Sequence, residues 1–134
     1  MRLTRAADYG LRAMLYLARQ PHGKVSRLKD IAADQGVPPG FLSKVTQALA
    51  RAGLARSSRG VHGGVALARD PRDVSVKDVV EAIEGPVALN LCLLERGACP
   101  RQAGCSMYPV WRKAQRRMLE VLKAARFSDP ARLH

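Results

Sequence analysis

Three cysteines crowd one short segment of this 134-residue chain, at Cys92, Cys99 and Cys105 of CLLERGACPRQAGC. An odd number of thiols in a chain with no secretory signature argues against a disulfide framework. The surroundings are also wrong for cysteines that merely pack: Cys99 precedes a proline, Cys105 follows a glycine, and Glu95, Arg96 and Arg101 lie between. A loop that bends sharply between thiols can aim all three at one centre. Zinc prefers a C-x2-C knuckle and a fourth Cys or His, and the loop holds neither. Iron–sulfur clusters accept longer, irregular spacing and take thiolates, at times with one ligand that is not cysteine. A redox-active thiol set is the third possibility. Spacing alone leaves all three open.

The second chemical signal is charge. Lys and Arg number 23 against 11 Asp and Glu, which leaves +12 and a pI near 10.6. Such an excess on a small chain favours a polyanionic partner, because the cations displace counterions condensed on phosphates. A membrane surface is the poorer candidate, since neither end carries a basic amphipathic stretch with a Trp or Phe face. No apolar run approaches the roughly 18 residues of a membrane span. The opening MRLTRAADYG lacks the apolar stretch and cleavage site of a signal peptide, so a cytoplasmic location is expected. An enzyme finds no support: His22, His62 and His134 are scattered, and no acid cluster or phosphate loop is present.

Both signals need elements to position them. The pattern predicts a first helix from an N-cap at Thr4 to about Gln20, with Leu3, Ala7, Leu11, Met14, Leu15 and Ala18 on its apolar stripe. Ser26 is the expected cap of a second helix ending at Gln35, with Gly36 as its left-handed stop. Val37 and Pro38 each precede a proline and are pushed out of helical geometry, and Pro39 suits the first position of a third helix reaching Ala52. Phe41, Leu42, Val45, Ala48 and Leu49 form its expected buried face. Helix, tight turn, helix is the helix-turn-helix pattern. Two β-like runs, Leu54 to Ser58 and Val65 to Ala68, flank the glycine-rich RGVHGG and read as a wing. A capping box at Ser75 and Asp78 opens a fourth helix that stops at Gly85. The segment 87–106 has no period. A last helix from Pro109 to about Arg126 carries Trp111, Ala114, Met118, Val121, Leu122 and Ala125 on one stripe that requires a partner, and reads as a dimerisation helix.

The expected architecture is therefore mostly α: a winged helix-turn-helix domain at 1–86, a cysteine-rich loop at 87–106, and a dimerisation helix with its tail at 107–134. On the third helix the outward positions are Gly40, Ser43, Lys44 and Gln47. Ser43 and Gln47 can hydrogen-bond to base edges, and Lys44 can reach guanine or phosphate. Arg59, at the tip of the wing, is placed to enter a minor groove, with His62 beside it. Double-stranded DNA is the partner these groups fit, and a two-fold homodimer would present them to a palindromic operator.

The segments MRLT…DYGLRAMLYLA, IAADQGVPPGFLSKVTQALARAGL, SSRGVHGGVAL and the cysteine loop, in that order, resemble the Rrf-type winged-helix regulators. That family includes the iron–sulfur regulator IscR and the nitric-oxide sensor NsrR, and the resemblance spans about residues 1–126. It implies a homodimeric transcription repressor or activator whose DNA affinity follows the state of a [2Fe–2S] or [4Fe–4S] cluster. Cys92, Cys99 and Cys105 match the family's ligand positions. IscR-like members place a histidine just after the third cysteine, where this chain has Ser106, Met107 and Tyr108. NsrR-like members use an aspartate from the first helix of the partner subunit, and Asp8 stands at the matching place. The IscR-like acidic residue of the recognition helix is replaced by Ser43, so operator preference does not carry over.

Overall fold

A computed structural model describes residues 3–94 and 99–128. Glu95, Arg96 and the end of the C-terminal tail, with His134, lie outside the described residues. The order is α1 (Arg5–Arg19), α2 (Leu28–Gln35), α3 (Pro39–Arg51), β1 (Ala55–Ser58), β2 (Gly64–Leu67), α4 (Val76–Glu84) and α5 (Tyr108–Ala124), with short 3-10 turns at Pro71–Asp73, Leu91–Leu93 and Gln102–Gly104. The fold is mostly helical, a winged helix-turn-helix with one small antiparallel hairpin.

α1 starts as its sequence demands: Thr4 caps it, its hydroxyl accepting the N–H of Ala7. Its buried line is Ala7, Gly10, Ala13, Met14 and Leu17. The expected stripe is thus rotated towards smaller residues. Leu3 is half-exposed, while Leu11, Leu15 and Ala18 flank the core. The rotation follows from crowding, because α1 packs against both α3 and α4. Small residues let helix axes approach closely.

Ser26 does not cap α2. Arg27 occupies that position without a side-chain cap, while Ser26 is buried and exchanges both backbone hydrogen bonds with Val65, each 2.8 Å. The backbone of Ser26 is therefore a short third rung on the wing. Gly36 takes the left-handed conformation (φ 63°, ψ 39°) that ends α2, a geometry that penalises any side chain. Val37 then turns inward, its N–H bonded to Ala32 O. α3 opens on Pro39 and buries Leu42, Val45, Thr46 and Leu49. Phe41, expected inside, is 43% exposed and meets Tyr9 of α1 edge-on, with ring centroids 5.3 Å apart.

After the wing, Asp70 caps the Pro71–Asp73 turn, and hydrogen bonds from Arg72 hold its carboxyl down at about 2. α4 carries the expected reciprocal box: Ser75 Oγ accepts from Asp78 N and the Asp78 carboxylate accepts from Ser75 N. α5 ends at Ala124, two residues short of the expected Arg126. Ala125 leaves the helix (ψ 112°), and the chain returns to the start of α4, where Val76 N bonds Ala125 O and Phe127 N bonds Val74 O. Burial decides this ending. Phe127 is 1% exposed and joins Met14, Leu42, Leu49 and Val79 in one core. A continuing helix would carry its ring into solvent.

Phe127→Ala should lower the unfolding free energy by about 3–5 kcal/mol, the cost of deleting a buried aromatic ring. Urea titration at fixed protein concentration measures it, and a loss below about 1 kcal/mol would show that the C-terminal return is not part of the core.

Candidate nucleic-acid interface and cysteine loop

The turn at Gly36 sets α3 across α2 so that α3 keeps one face outward. Gly40, Lys44 and Gln47 are exposed and Ser43 is half-buried. Thr46, on the inner side, spends its hydroxyl on Ser43 O at 3.0 Å. β1 and β2 pair in the register Ala55–Leu67, Arg56–Ala66, Ser57–Val65 and Ser58–Gly64. This hairpin leaves Arg59, Gly60, Val61 and His62 exposed at its tip, Val61 at 81%. Arg27 reaches the tip from the head of α2, its Nη2 donating to Val61 O at 3.4 Å.

A groove of about 580 Å³ runs between α3 and the wing, and Ser43, Gln47, Ser57, Ser58 and Arg59 line it. The structure therefore brings Ser43, Gln47 and Arg59 to one surface. Gly40, Lys44 and His62 stand outside that groove's lining. Ser57 and Ser58 were not singled out from sequence; the unbroken polar run Arg56-Ser57-Ser58 after the buried Ala55 is the signal that would have exposed them. The Tyr9–Phe41 ring contact was not foreseen either, because apolar periodicity assigns Phe41 to the core.

The wing is held to the helix-turn-helix by close backbone approach. A Cβ on Gly64 would collide with the carbonyl oxygen of Ser26, so only glycine permits the rung between them. The hydroxyl of Ser26 lies beside that rung, buried and without a hydrogen-bond partner among the described residues.

The cysteine loop joins α4 to α5. Cys92 lies in the 3-10 turn Leu91–Leu93, Cys99 accepts a backbone bond from Gln102 N, and Cys105 O accepts from Tyr108 N at the head of α5. The loop is tied to α5 where Leu89 N donates to Gln115 Oε1 at 3.0 Å. All three thiols are free and half-buried. Cys92 faces a cleft of about 1090 Å³ rimmed by Lys77, Arg112, Arg116 and Lys123. Among the described residues no three His, Cys, Asp or Glu side chains are gathered closely enough to hold a metal ion. The donor set suits a soft iron centre, three thiols with none spent in a disulfide, but the loop does not converge them here. Asp8 sits on the outer side of α1 and pairs with Arg12 at 3.1 Å, and Arg12 also donates to Gln35 O at the end of α2, 3.1 Å away.

α5 buries no residue within the single chain. Val110 and Val121 are half or more exposed, and Trp111, Met118 and Leu122 are only partly covered. No helix among the described residues is long and apolar enough to cross a membrane.

A helix-turn-helix with an arginine-tipped wing on a chain of net charge +12 defines a DNA-binding transcription regulator of the winged-helix class. Residues 3–131 match the family described as "Rrf2: Iron-dependent Transcriptional regulator", and the chain belongs to that family. Its members are regulators of transcription and not enzymes. The chain is 34% identical over 130 residues to the HTH-type transcriptional regulator NsrR of Shouchella clausii, covering 96% of this chain and 87% of that protein. Its fold is similar to CymR, the global cysteine regulator of B. subtilis (TM-score 0.79, 27% identity, 100% and 98% of the two chains), and to T. potens IscR (TM-score 0.77, 30% identity, 98% and 87%).

Gly64→Ala should lower the urea midpoint by the equivalent of about 1–3 kcal/mol, because the added methyl forces Ser26 and the wing apart. Ser26→Ala should be neutral or stabilising by up to about 1 kcal/mol, since it removes a buried hydroxyl with no partner. The reverse order of the two variants would refute the proposed tie between wing and α2.

Proposed function

We propose that this chain is a cytoplasmic, homodimeric repressor that reads a palindromic operator and whose DNA affinity depends on an iron–sulfur cluster held by Cys92, Cys99 and Cys105. The observation that carries this reading is the set of three free thiols on the loop between α4 and α5, in a member of a family described as iron-dependent. Bound there, a cluster would supply a centre sensitive to nitric oxide, oxygen or iron supply. Asp8 of the partner subunit is the proposed fourth ligand. To serve, it must leave Arg12, which costs little because the pair is exposed to water. The unpartnered apolar side of α5 is the surface that joins the two subunits, and the domain limits proposed above, 1–86, 87–106 and 107–134, follow from that division of labour.

On DNA, α3 lies in the major groove. Ser43 and Gln47 meet base edges, Gly40 allows close approach of the backbone, and Lys44 answers guanine or phosphate. Arg59 enters the minor groove beside it, and His62 flanks the backbone. Gln47→Ala should change which bases are preferred in a half-site, by about 1–3 kcal/mol at the position read. Lys44→Ala, if it contacts phosphate, should weaken all sequences alike and flatten the salt dependence. Arg59→Ala should weaken operator binding about tenfold or more. Selection from a randomised duplex pool, followed by binding at several salt concentrations, measures all three.

A second reading has its own support. The thiols are not gathered in the structure, and the similar CymR is a cysteine regulator, so a metal-free thiol sensor fits as well. Anaerobic purification separates the two. A brown protein whose visible absorption disappears in Cys92→Ala, Cys99→Ala and Cys105→Ala, and weakens in Asp8→Ala, supports the cluster. Colourless protein with titratable thiols, or with stoichiometric zinc, refutes it.

A further inference from the structure

The last turn of α4 grips α1 at two adjacent residues. Glu84 accepts the backbone N–H of Thr4, the cap of α1, at 2.7 Å. Ile83 lies in a notch left by Gly10, where a Cβ would collide with Ile83 Cδ1. The same point is 3.3 Å from Cγ1 of Val45, a buried residue of α3. Three helices therefore meet over one missing methyl group: α4 through Ile83, α1 through Gly10, and the recognition helix through Val45. One residue after this turn the chain bends at Gly85 into the segment that carries Cys92.

We infer that Ile83, seated at Gly10, is a positioning residue for α3, and that this contact is where the attitude of the cysteine loop reaches the DNA-reading face. Val45 shares α3 with Ser43, Lys44 and Gln47, and close-packed helices answer a displaced side chain by rigid shifts. A methyl group on Gly10 would push Ile83 away from α1 or tilt α3 through Val45. Shortening Ile83 by its Cδ1 makes room for that methyl. The contact thus makes a reciprocal demand on two positions, one that a stabilising core residue without a positioning role would not show in DNA specificity.

The inference rests on α3 being the reading helix, which Gln47→Ala and Arg59→Ala test separately. The measurement is the ratio of affinities for a duplex selected by the wild-type protein and for a random duplex, taken in whichever state of the loop thiols the wild type uses to select. Gly10→Ala should lower that ratio about tenfold or more while random-duplex affinity, set by phosphate attraction, stays within about threefold. Gly10→Ala/Ile83→Val should recover most of the loss. Should Gly10→Ala alone not fold, Ile83→Ala serves in its place, with an expected fall of about threefold or more in the ratio and a retained cooperative unfolding transition. An unchanged ratio in both single variants, or a double variant no better than Gly10→Ala, overturns the positioning role. If Gln47→Ala and Arg59→Ala leave the ratio unchanged, the reading-helix assignment fails and takes the inference with it.

Discussion

One apolar core serves both halves of the molecule. Met14 of α1, Leu42 and Leu49 of α3, Val79 of α4 and Phe127 beyond α5 belong to a single buried cluster, so the helix proposed to face DNA and the helix that leads to the cysteines share the same packing. Interiors at this density deform little and shift as units. Two surfaces with unrelated chemistry are thereby placed on one rigid frame. On one side a polar groove lies between α3 and the wing, and on the other a basic cleft lies beside Cys92.

Much of this frame was legible in the sequence because punctuation in the chain is local. Thr4, Gly36, Pro39, Ser75 with Asp78, and Gly85 each act through their own backbone, and each stands where the pattern put it. What escaped was decided by tertiary contacts. Ser26 has the chemistry of a cap, yet its backbone pairs with Val65 across the fold, a demand that helix-start preferences do not register. Phe41 has the spacing of a core residue, but α1 offers it Tyr9 at the surface instead of space inside. Phe127 sits past the end of its helix, where periodicity no longer speaks. The stripe of α1 was read a few tens of degrees off because Gly10 and Ala13 weigh little on an apolar scale, although small size is the property the crossing requires.

The candidate site was legible to different depths. The outward face of α3 and the tip of the wing follow from turn chemistry, and Ser43, Gln47 and Arg59 share one groove. The serines of β1 lie in a strand only four residues long in which Arg56, Ser57 and Ser58 are all exposed, so no period-2 pattern marks them. The cysteines are recognisable as a set, but their spacing never fixed a geometry, and the fold of one chain does not supply it. The proposed centre, shared between subunits, would not be encoded by the packing of either alone.

The return of the chain at Ala125–Phe127 has a mechanical meaning. Among the described residues α5 is tied back at both sides of its length, by Leu89 of the cysteine loop to Gln115 and by backbone bonds of Ala125 and Phe127 to Val76 and Val74 at the start of α4. It behaves as a handle riveted at both ends, not as a lever swinging from one hinge. In any assembly built through α5, a twist of one handle against another must therefore be carried through α4 into the whole body of the domain. The distance between two wings would then register the crossing angle of two helices that lie outside the proposed DNA-reading groove.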